Sequence, residues 1–476
     1  MPSWIIWYWK WKKTKATAVA KLSDLEKFTW DSWPTADEIA SAMESKPADE
    51  GAALLEKLDT DFAALIVNSA NLSTSKAASI FDNDNLSLPK AGDILDNDNL
   101  SEARAEEIWH HENLTRRLDL LRYAAKQAKY LYASEYQVEK VAAITNDVDI
   151  CSPEDCRFDP TGTYIALASY GTDGVVVCKF DKANGTLSKL VKVRDDADID
   201  SPWGVDWNPD SDRIAVCGYY ADSIKVFAFD PSGPSLTGVA AITSDADIDG
   251  AYACRFNHAG DRIAVVGYFA DSLVIYEFDK AAGTLSKVAA VTNDADINGA
   301  HDCAWSPDDN YIAVVGYYAD SLVIYKFDKS EGTLTKVAKL VGFSELGLEY
   351  PEGVAWVGDY IAVTGYLSDG VGVFRFDPDT NTLKRVALLV GVAEINGASR
   401  VDLDPDLLRP VVAGHSVDSV YAFSFTLSGK LAKLHGVVDD IYIDGAYGIS
   451  LNPDKDRIAV TGENADSIVV YSIGRL

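Results

Sequence analysis

Runs of alternating acidic residues recur in the last two-thirds of the chain and could hold a metal ion. Carboxylate and amide oxygens at every second position, closed by glycine, are the means by which a loop wraps ligands around calcium. The predicted calcium ligands are Asp245, Asp247, Asp249, Asp294, Asp296, Asn298 and Asp302. The alternative is a tight turn whose carboxylates cap backbone amides while the isoleucine packs inward. Degeneration of the pattern to Ser344-Glu345 and Ala393-Glu394 favours this alternative, since the loops form without it.

A second set of candidate residues occupies the position four residues before Trp305 and its counterparts in a long internal repeat. These residues are Glu154, Trp203, Tyr252, His301, Glu352, Ser399 and Tyr447. Aromatic rings beside carboxylates suit a sugar, a cationic group or a polar small molecule, so all except Ser399 are predicted to bind ligand. His301 could form an acid/base pair with Asp302 or Glu352, which gives Glu154, His301 and Glu352 as an alternative catalytic set. The simpler alternative is that these seven positions hold varied residues that have no shared function.

The elements that must position these residues repeat with a period of 49. An apolar stretch of the type Ile-Ala-Val-Val-Gly-Tyr begins at Ile165, Ile214, Ile263, Ile312, Ile361, Pro410 and Ile458. Each repeat contains four short β-strand patterns separated by turn residues. A period near fifty with four strands is typical of a β-propeller blade. The sequence therefore predicts a mainly β fold, a seven-bladed propeller, with the second residue set around one mouth of its central channel.

Closure of the ring is also predicted. The last repeat ends after its third strand, at Ser467 to Leu476. A copy of the missing fourth strand, Lys140 to Asp147, lies upstream of the first repeat and resembles Lys287 to Asp294. We expect this N-terminal strand to complete the C-terminal blade and remove the open sheet edges.

The repeat resembles the seven-bladed lactonase and YVTN-repeat propellers, which overlap with WD40-like repeats. The resemblance rests on residues 158–164, 174–177 and 185–187 and covers roughly residues 136–476. It implies a propeller, and it is compatible with lactone hydrolysis and with a binding or surface role. The acidic loops resemble the calcium loops of integrin-type propellers, and only the loop at Asp294 also supplies the final aspartate, Asp302.

The chain is predicted to have three parts: a Trp- and Lys-rich segment (1–21), a helical domain (22–133) and the propeller (134–476). Within the helical domain, a motif of Asn, Leu and Ser or Thr recurs every fourteen residues over about 71–118 and predicts short capped helices. In the first segment, a cluster of aromatic residues is predicted either to pack on the protein itself or to anchor in a partner. This cluster consists of Trp4, Trp7, Trp9 and Trp11.

The amino-acid composition argues against some classes of protein function. The 476 residues include 73 acidic and 43 basic side chains, a net charge of −30, which opposes nucleic-acid binding. No apolar run is long enough for a transmembrane helix, and the first residues lack the order of an ordinary secretory signal. Three of the cysteines, Cys156, Cys254 and Cys303, occupy one blade position and are predicted to be small core residues.

These features favour a non-enzymatic structural or binding protein. Its helical domain would join a larger assembly of other protein subunits, such as a homo-oligomer, filament, surface layer or virion. The propeller would then be displayed as a ligand-binding head on a particle or cell surface. One alternative is a lactonase-like hydrolase acting at the channel mouth, with calcium as a possible cofactor. The other is an intracellular propeller that acts as a scaffold for soluble partners.

Overall fold

The computed structural model describes residues 36–108, except 59, 84, 96–99, 102–103, 105–107, and residues 136–475, except 406–407, 427–429 and 439. They belong to two compact units, one helical and one built from strands. The predicted boundaries at 22 and 134, and the cluster Trp4, Trp7, Trp9 and Trp11, lie outside the described residues and stay predictions. Among the described residues, no helix is long and apolar enough to cross a membrane.

Five short helices form the described part of the helical unit. They are α1 Ala36–Glu44, α2 Ala48–Leu55, α3 Thr60–Asn68, α4 Thr74–Phe81 and α5 Leu88–Leu95. Helices of eight or nine residues are marginal alone in water, so they must pack. Each one contacts the helix two places along: α1 packs on α3, α2 on α4 and α3 on α5. The predicted helical array is confirmed.

The fourteen-residue repeat supplies the contacts between these helices. The Ser73 hydroxyl caps α4 by accepting the amide N–H of Lys76 at 3.1 Å. The backbone amide of Ser73 donates to Glu44 at 2.7 Å, and that of Ser87 donates to Glu56 at 2.8 Å. The leucine before each serine is buried in the array: Leu72, Leu86 and Leu100. The buried leucine therefore recurs in three described units, and the bond from the serine amide to a glutamate recurs in two of them.

The strand unit consists of seven four-stranded antiparallel sheets, as predicted. Blade 1 contains β2 Pro153–Phe158, β3 Tyr164–Ser169, β4 Gly174–Asp181 and β5 Thr186–Val193. Blade 2 contains β6 Pro202–Trp207, β7 Arg213–Gly218, β8 Ser223–Asp230 and β9 Ser235–Ile242. Blade 3 contains β10 Ala251–Phe256, β11 Arg262–Gly267, β12 Ser272–Asp279 and β13 Thr284–Val291. Blade 4 contains β14 Ala300–Trp305, β15 Tyr311–Gly316, β16 Ser321–Asp328 and β17 Thr333–Val341.

The remaining blades follow the same order after a short helix, α6 Phe343–Leu346. Blade 5 contains β18 Pro351–Val357, β19 Tyr360–Gly365, β20 Gly370–Asp377 and β21 Thr382–Leu389. Blade 6 contains β22 Ala398–Asp404, β23 Arg409–Gly414, β24 Ser419–Thr426 and β25 Lys430–Val437. Blade 7 contains β26 Ala446–Leu451, β27 Arg457–Gly462, β28 Ser467–Arg475 and, from upstream in the chain, β1 Tyr136–Ile144.

The ring closes as predicted, because β1 pairs antiparallel with β28 from Tyr136 opposite Arg475 to Ile144 opposite Ile468. Within a blade, the second strand is the most buried; all six residues of β11 are inaccessible to solvent or nearly so. Neighbouring blades pack through apolar side chains, and the Trp305 indole N–H donates to the carbonyl of Arg255 in the preceding blade at 3.0 Å.

One aspartate per blade joins each blade to the next. It ends the turn between the second and third strands with a left-handed backbone conformation, φ 45–50°, which aspartate tolerates better than most residues. Its carboxylate accepts a backbone N–H from the loop that enters the next blade, at 2.8–3.0 Å. The seven residues are Asp173, Asp222, Asp271, Asp320, Asp369, Asp418 and Asp466. Since all seven make the same bond, their role is structural.

Candidate functional site

The predicted mouth residues lie on the innermost strand of each blade, where that strand is irregular. In all seven blades the pairing with the second strand shifts register at this position. A β-bulge re-aims the side chain of its extra residue, in this case into the channel. The hydroxyls of Tyr252 and Tyr447 are 3.1 Å apart although blades 3 and 7 are not neighbours. We call these seven residues the inner ring.

A buried network of ion pairs lies beneath the inner ring. Arg255 binds Asp155 at 3.2 Å and Asp302 at 3.0 Å, and Arg400 binds the other oxygen of Asp302 at 3.0 Å. Burial alone would raise the pKa of Asp302, but Arg255 and Arg400 outweigh it and lower that pKa. A Cβ on Gly448 would lie 2.8 Å from the Cα of Asp155, so the strands approach closely here. The network ties blades 1, 3, 4 and 6 together across the channel.

A second circle of residues, which we call the outer ring, lies above the inner ring at the end of each second strand. It consists of Tyr170, Tyr219, Tyr268, Tyr317, Tyr366, His415 and Glu463. The rings of Tyr252 and Tyr268 stack at 5.5 Å, and those of His301 and Tyr317 stack at 5.3 Å. In blades 6 and 7, tyrosine is replaced by an ion pair, with His415 Nε2 at 3.1 Å from Glu463.

The two rings divide the mouth into an aromatic half and an ionisable half. Blades 2 to 4 supply the aromatic half, in which Trp203 lies 4.3 Å from Tyr252 and 5.8 Å from Tyr219 between ring centroids. Blades 5, 6, 7 and 1 also contribute tyrosines to the rings, Tyr366, Tyr447 and Tyr170. They alone add the acidic groups, Glu352, Glu463 and Glu154, and His415, which pairs with Glu463. An aromatic wall facing a few convergent polar groups is the usual construction of a small-molecule site.

Two carboxyl groups of the ionisable half are buried, and each has an oxygen that lacks a hydrogen-bond partner among the described residues. Glu154 and Glu352 are 3% and 5% exposed, and the unpartnered atom is Oε2 in both. Burial raises the pKa of Glu352 to about 8, against the opposing charges of Arg400 and His415 and a hydrogen bond with Tyr447. Burial, followed by the charge of Glu463, raises the pKa of Glu154 well above its ordinary value. At neutral pH the Glu352 carboxyl therefore retains its proton.

His301 is buried in a fixed orientation. Its Nδ1 lies 3.0 Å from the backbone carbonyl of Glu352, and because a carbonyl only accepts, Nδ1 carries the proton. Burial and the charge of Arg400 lower the pKa of His301 well below its ordinary value, which keeps the ring neutral. The predicted pairing of His301 with the Asp302 carboxylate is not what the structure shows, since Asp302 binds the two arginines.

The acidic loops lie on the same face and are paired with lysines. Lys287 Nζ is 2.6 Å from Asp245 and 2.7 Å from Asp247. The next blade repeats this arrangement: Lys336 Nζ is 2.6 Å from Asp294 and 2.5 Å from Asp296. The other predicted ligands have separate positions. Asn298 donates to Asp271 at 3.1 Å, Asp302 belongs to the channel network, and the pKa of Asp249 is raised by burial and by the charge of Asp222.

In blade 2 a lysine from a different strand pairs with the loop carboxylates. The outer-strand position that holds Lys287 in blade 3 is Gly238 here. Lys225 instead reaches across from the neighbouring strand, with Nζ at 2.6 Å from Asp196 and 2.9 Å from Asp198. The described residues contain no cluster with the geometry of a metal site. The loops therefore fit a lysine better than calcium, and the calcium site stays an untested prediction.

Several residues of the mouth were missed in the sequence although a signal existed for them. His415 and Glu463 break a tyrosine column that recurs at 49-residue spacing in five blades. Arg400 follows the inner-ring residue Ser399, where other blades have aspartate, glycine or alanine. A departure from the blade consensus marks all three residues. The pairing of His415 with Glu463 could not be predicted from the sequence, because the two residues are 48 positions apart and meet only when blades 6 and 7 pack together.

The fold defines a class: a seven-bladed propeller, with aromatic and ionisable side chains around one mouth of its channel. The family model "Lactonase, 7-bladed beta-propeller" matches residues 152–395, just over half of the chain. The chain therefore belongs to the seven-bladed lactonase propeller family. It has no match among curated proteins.

Solved structures agree at the level of fold. A candidate 6-phosphogluconolactonase from Bacteroides fragilis superimposes with a TM-score of 0.53 at 14% identity, covering 66% of this chain and 93% of the other. One from Bacteroides uniformis gives 0.53 at 16% identity, with 66% and 94% covered. Kuenenia stuttgartiensis hydrazine synthase gives 0.51 at 13% identity, with 70% and 97% covered. Similarity at this level of identity shows a shared propeller fold.

Proposed function

We propose that the protein is a hydrolase that opens a lactone at the channel mouth. Water adds to the ester carbonyl carbon, the bond from that carbon to the ring oxygen breaks, and a hydroxy acid is released. The observation that carries the proposal is the pair of buried carboxyls, Glu154 and Glu352, each with an unpartnered oxygen at the mouth. Membership of the lactonase propeller family supports the same reaction class.

Glu352 is suited to be the general acid. A carboxyl with a pKa of about 8 is protonated at neutral pH and can give its proton to the departing ring oxygen. Loss of that oxygen as a hydroxyl rather than an alkoxide lowers the barrier to ring opening, by an amount that corresponds to about 100-fold or more in rate. Burial sets this pKa, because the ionised form would lose the hydration that it has in water.

His301 is suited to be the general base. With the proton fixed on Nδ1 by the Glu352 carbonyl, the Nε2 lone pair is available to accept the proton of the attacking water. Arg400 completes the set, because its Nη2 has no hydrogen-bond partner among the described residues and can stabilise the negative carbonyl oxygen. After ring opening, the proton on His301 returns to Glu352 through solvent, and one water has been consumed.

The test is lactone turnover by the full chain and three variants. Glu352→Gln cannot donate the proton, and His301→Ala cannot accept one, so each should lower kcat/KM by about 100-fold or more. Glu331→Gln, on an exposed hairpin, is the matched control and should retain wild-type activity. Inactivity of the wild type on five- and six-membered lactones would exclude the hydrolase, and unchanged activity of both mouth variants would exclude these roles.

The non-enzymatic assembly role remains the second candidate. Its support is the helical unit, in which short helices stack as a repeat array of a kind that often joins other subunits. The family match points to lactonases, and the tryptophan cluster lies outside the described residues, so this role is less well supported. Light scattering decides it: defined oligomers of the full chain would support assembly, and a monomer would oppose it.

A further inference from the structure

We infer that the substrate is an uncharged, sugar-type lactone and not a phosphorylated one. This inference rests on the proposed lactone hydrolysis and specifies the chemistry that the mouth selects. It differs from the substrate named for the two Bacteroides structures, which share the fold at 14% and 16% identity. Three features of the mouth carry it: the aromatic half, the charge of the rings and the unpartnered polar atoms.

The aromatic half is extensive and continues outward onto the surface. Beyond the rings, blades 2 to 4 each add one more exposed aromatic side chain, Tyr220, Phe269 and Tyr318, which are 62%, 59% and 58% exposed. Tyr318 lies 5.7 Å from Tyr268 between centroids, so the exposed rings are continuous with the outer ring. Contiguous exposed apolar surface marks a binding site. Flat rings with hydroxyl groups suit the C–H face and the hydroxyls of a sugar.

The charge of the mouth opposes a phosphate. Proteins bind phosphate mainly with arginine and lysine side chains and with helix N-termini. Neither ring contains a lysine or an arginine. Arg400 beneath them shares its charge with Asp302, so its unpartnered Nη2 can donate to one carbonyl oxygen but cannot neutralise a dianion. The imidazole of His415 is paired with Glu463. The surrounding lysines bind the acidic loops, as Lys287 and Lys336 do. Among the described residues, a dianion at the two rings would meet the Glu463 carboxylate and no lysine or arginine that belongs to either ring.

The unpartnered atoms match neutral groups. Trp203 Nε1 is a donor, and Oε2 of Glu154 and of Glu352 belongs to a carboxyl with a raised pKa. All three atoms are buried without a hydrogen-bond partner among the described residues, which costs free energy until a ligand supplies one. Hydroxyls and an ester carbonyl can donate to and accept from these atoms without bringing charge into the site. An uncharged polyhydroxy lactone has this set of groups.

The experiment compares glucono-δ-lactone with its 6-phosphate as substrates of the full-length protein. We expect kcat/KM for the uncharged lactone to be at least about 100-fold higher, equivalent to about 2.7 kcal/mol of selectivity. If the lactone ring of the 6-phosphate is opened as fast as that of the uncharged lactone, or faster, the inference is overturned and the hydrolase proposal stands. Tyr268→Arg, which places a cation in the outer ring, should reduce the selectivity, whereas Glu331→Arg, on the exposed hairpin between β16 and β17, should not.

A binding measurement separates the two proposals if neither lactone is opened. Calorimetry with the hydrolytically stable lactams of both sugars reports recognition without chemistry. Binding of the uncharged lactam that is lost in Trp203→Ala, with no binding of the phosphorylated lactam, supports the inference and excludes only the hydrolase. Tighter binding of the phosphorylated lactam, or no binding of either lactam, overturns the inference.

Discussion

The acidic loops and the channel mouth are both rich in carboxylates on one face of the propeller, but their chemical environments are opposite. In the loops, Asp245 and Asp294 each accept bonds from a lysine and a tyrosine, and these bonds lower their pKa although burial alone would raise it. At the mouth, Glu154 and Glu352 are buried with one unpartnered oxygen each, and their pKa is raised. The loop carboxylates have partners within the protein, whereas the mouth holds buried polar atoms without a hydrogen-bond partner among the described residues.

The loops and the mouth also differ in how regularly their polar residues recur from blade to blade. The seven joining aspartates recur in every blade because each blade must be attached to the next, and the loop aspartates with their lysines recur in several blades. The inner ring has five residue types in seven blades, and the outer ring departs from tyrosine at His415 and Glu463. A repeated polar group in a propeller is therefore best explained by architecture, and an unrepeated one by a ligand.

The largest effect is expected where the mouth depends on the channel network. Asp302→Ala leaves Arg255 and Arg400 buried without their shared partner, so we expect a loss of about 3–5 kcal/mol in the free energy of unfolding. Chemical denaturation measures it. Asp359→Ala removes an exposed pair with Arg375 and should cost less than about 1 kcal/mol. An equal loss in the free energy of unfolding for the two variants would show that the buried network stabilises the fold no more than an exposed ion pair does.

The second prediction concerns stability and pH. The pKa of Glu352 is about 8 in the folded protein and 4.5 ordinarily, so the folded state binds the proton more tightly. This contribution to stability is complete below pH 4.5 and is lost as pH rises through about 8. Between pH 5 and pH 9, wild type should lose about 3–5 kcal/mol relative to Glu352→Gln. Parallel pH profiles for the two proteins would contradict the raised pKa.

The architecture could be predicted almost completely from the sequence. A 49-residue period and a displaced copy of one strand were enough for seven blades and for the pairing of β1 with β28. The inner-ring positions also followed from alignment of the repeats. Contacts across the channel could not be predicted, because Tyr252 and Tyr447 are 195 residues apart and meet only through the ring geometry. The lysine partners of the loops were missed, although Lys287 and Lys336 recur at the blade period.

The smallest effect is expected in the loops. Lys287→Met removes a partly exposed ammonium from Asp245 and Asp247 and should cost about 1 kcal/mol or less, seen as a melting temperature lowered by a few degrees. A chelator should leave the melting temperature of wild type unchanged. Lys326→Met, at an exposed strand position, is the control. A wild-type melting temperature lowered by the chelator and restored by calcium would support the calcium site instead.

The most direct test of a functional mouth is the pH dependence of lactone opening, corrected for spontaneous hydrolysis. If protonated Glu352 is the general acid, kcat should be constant near neutral pH and fall about tenfold for each pH unit above about 8. The fall reports loss of the proton that the ring oxygen must receive. A rate that stays constant or rises between pH 7 and pH 10 would contradict the assignment of this buried carboxyl as the group that acts.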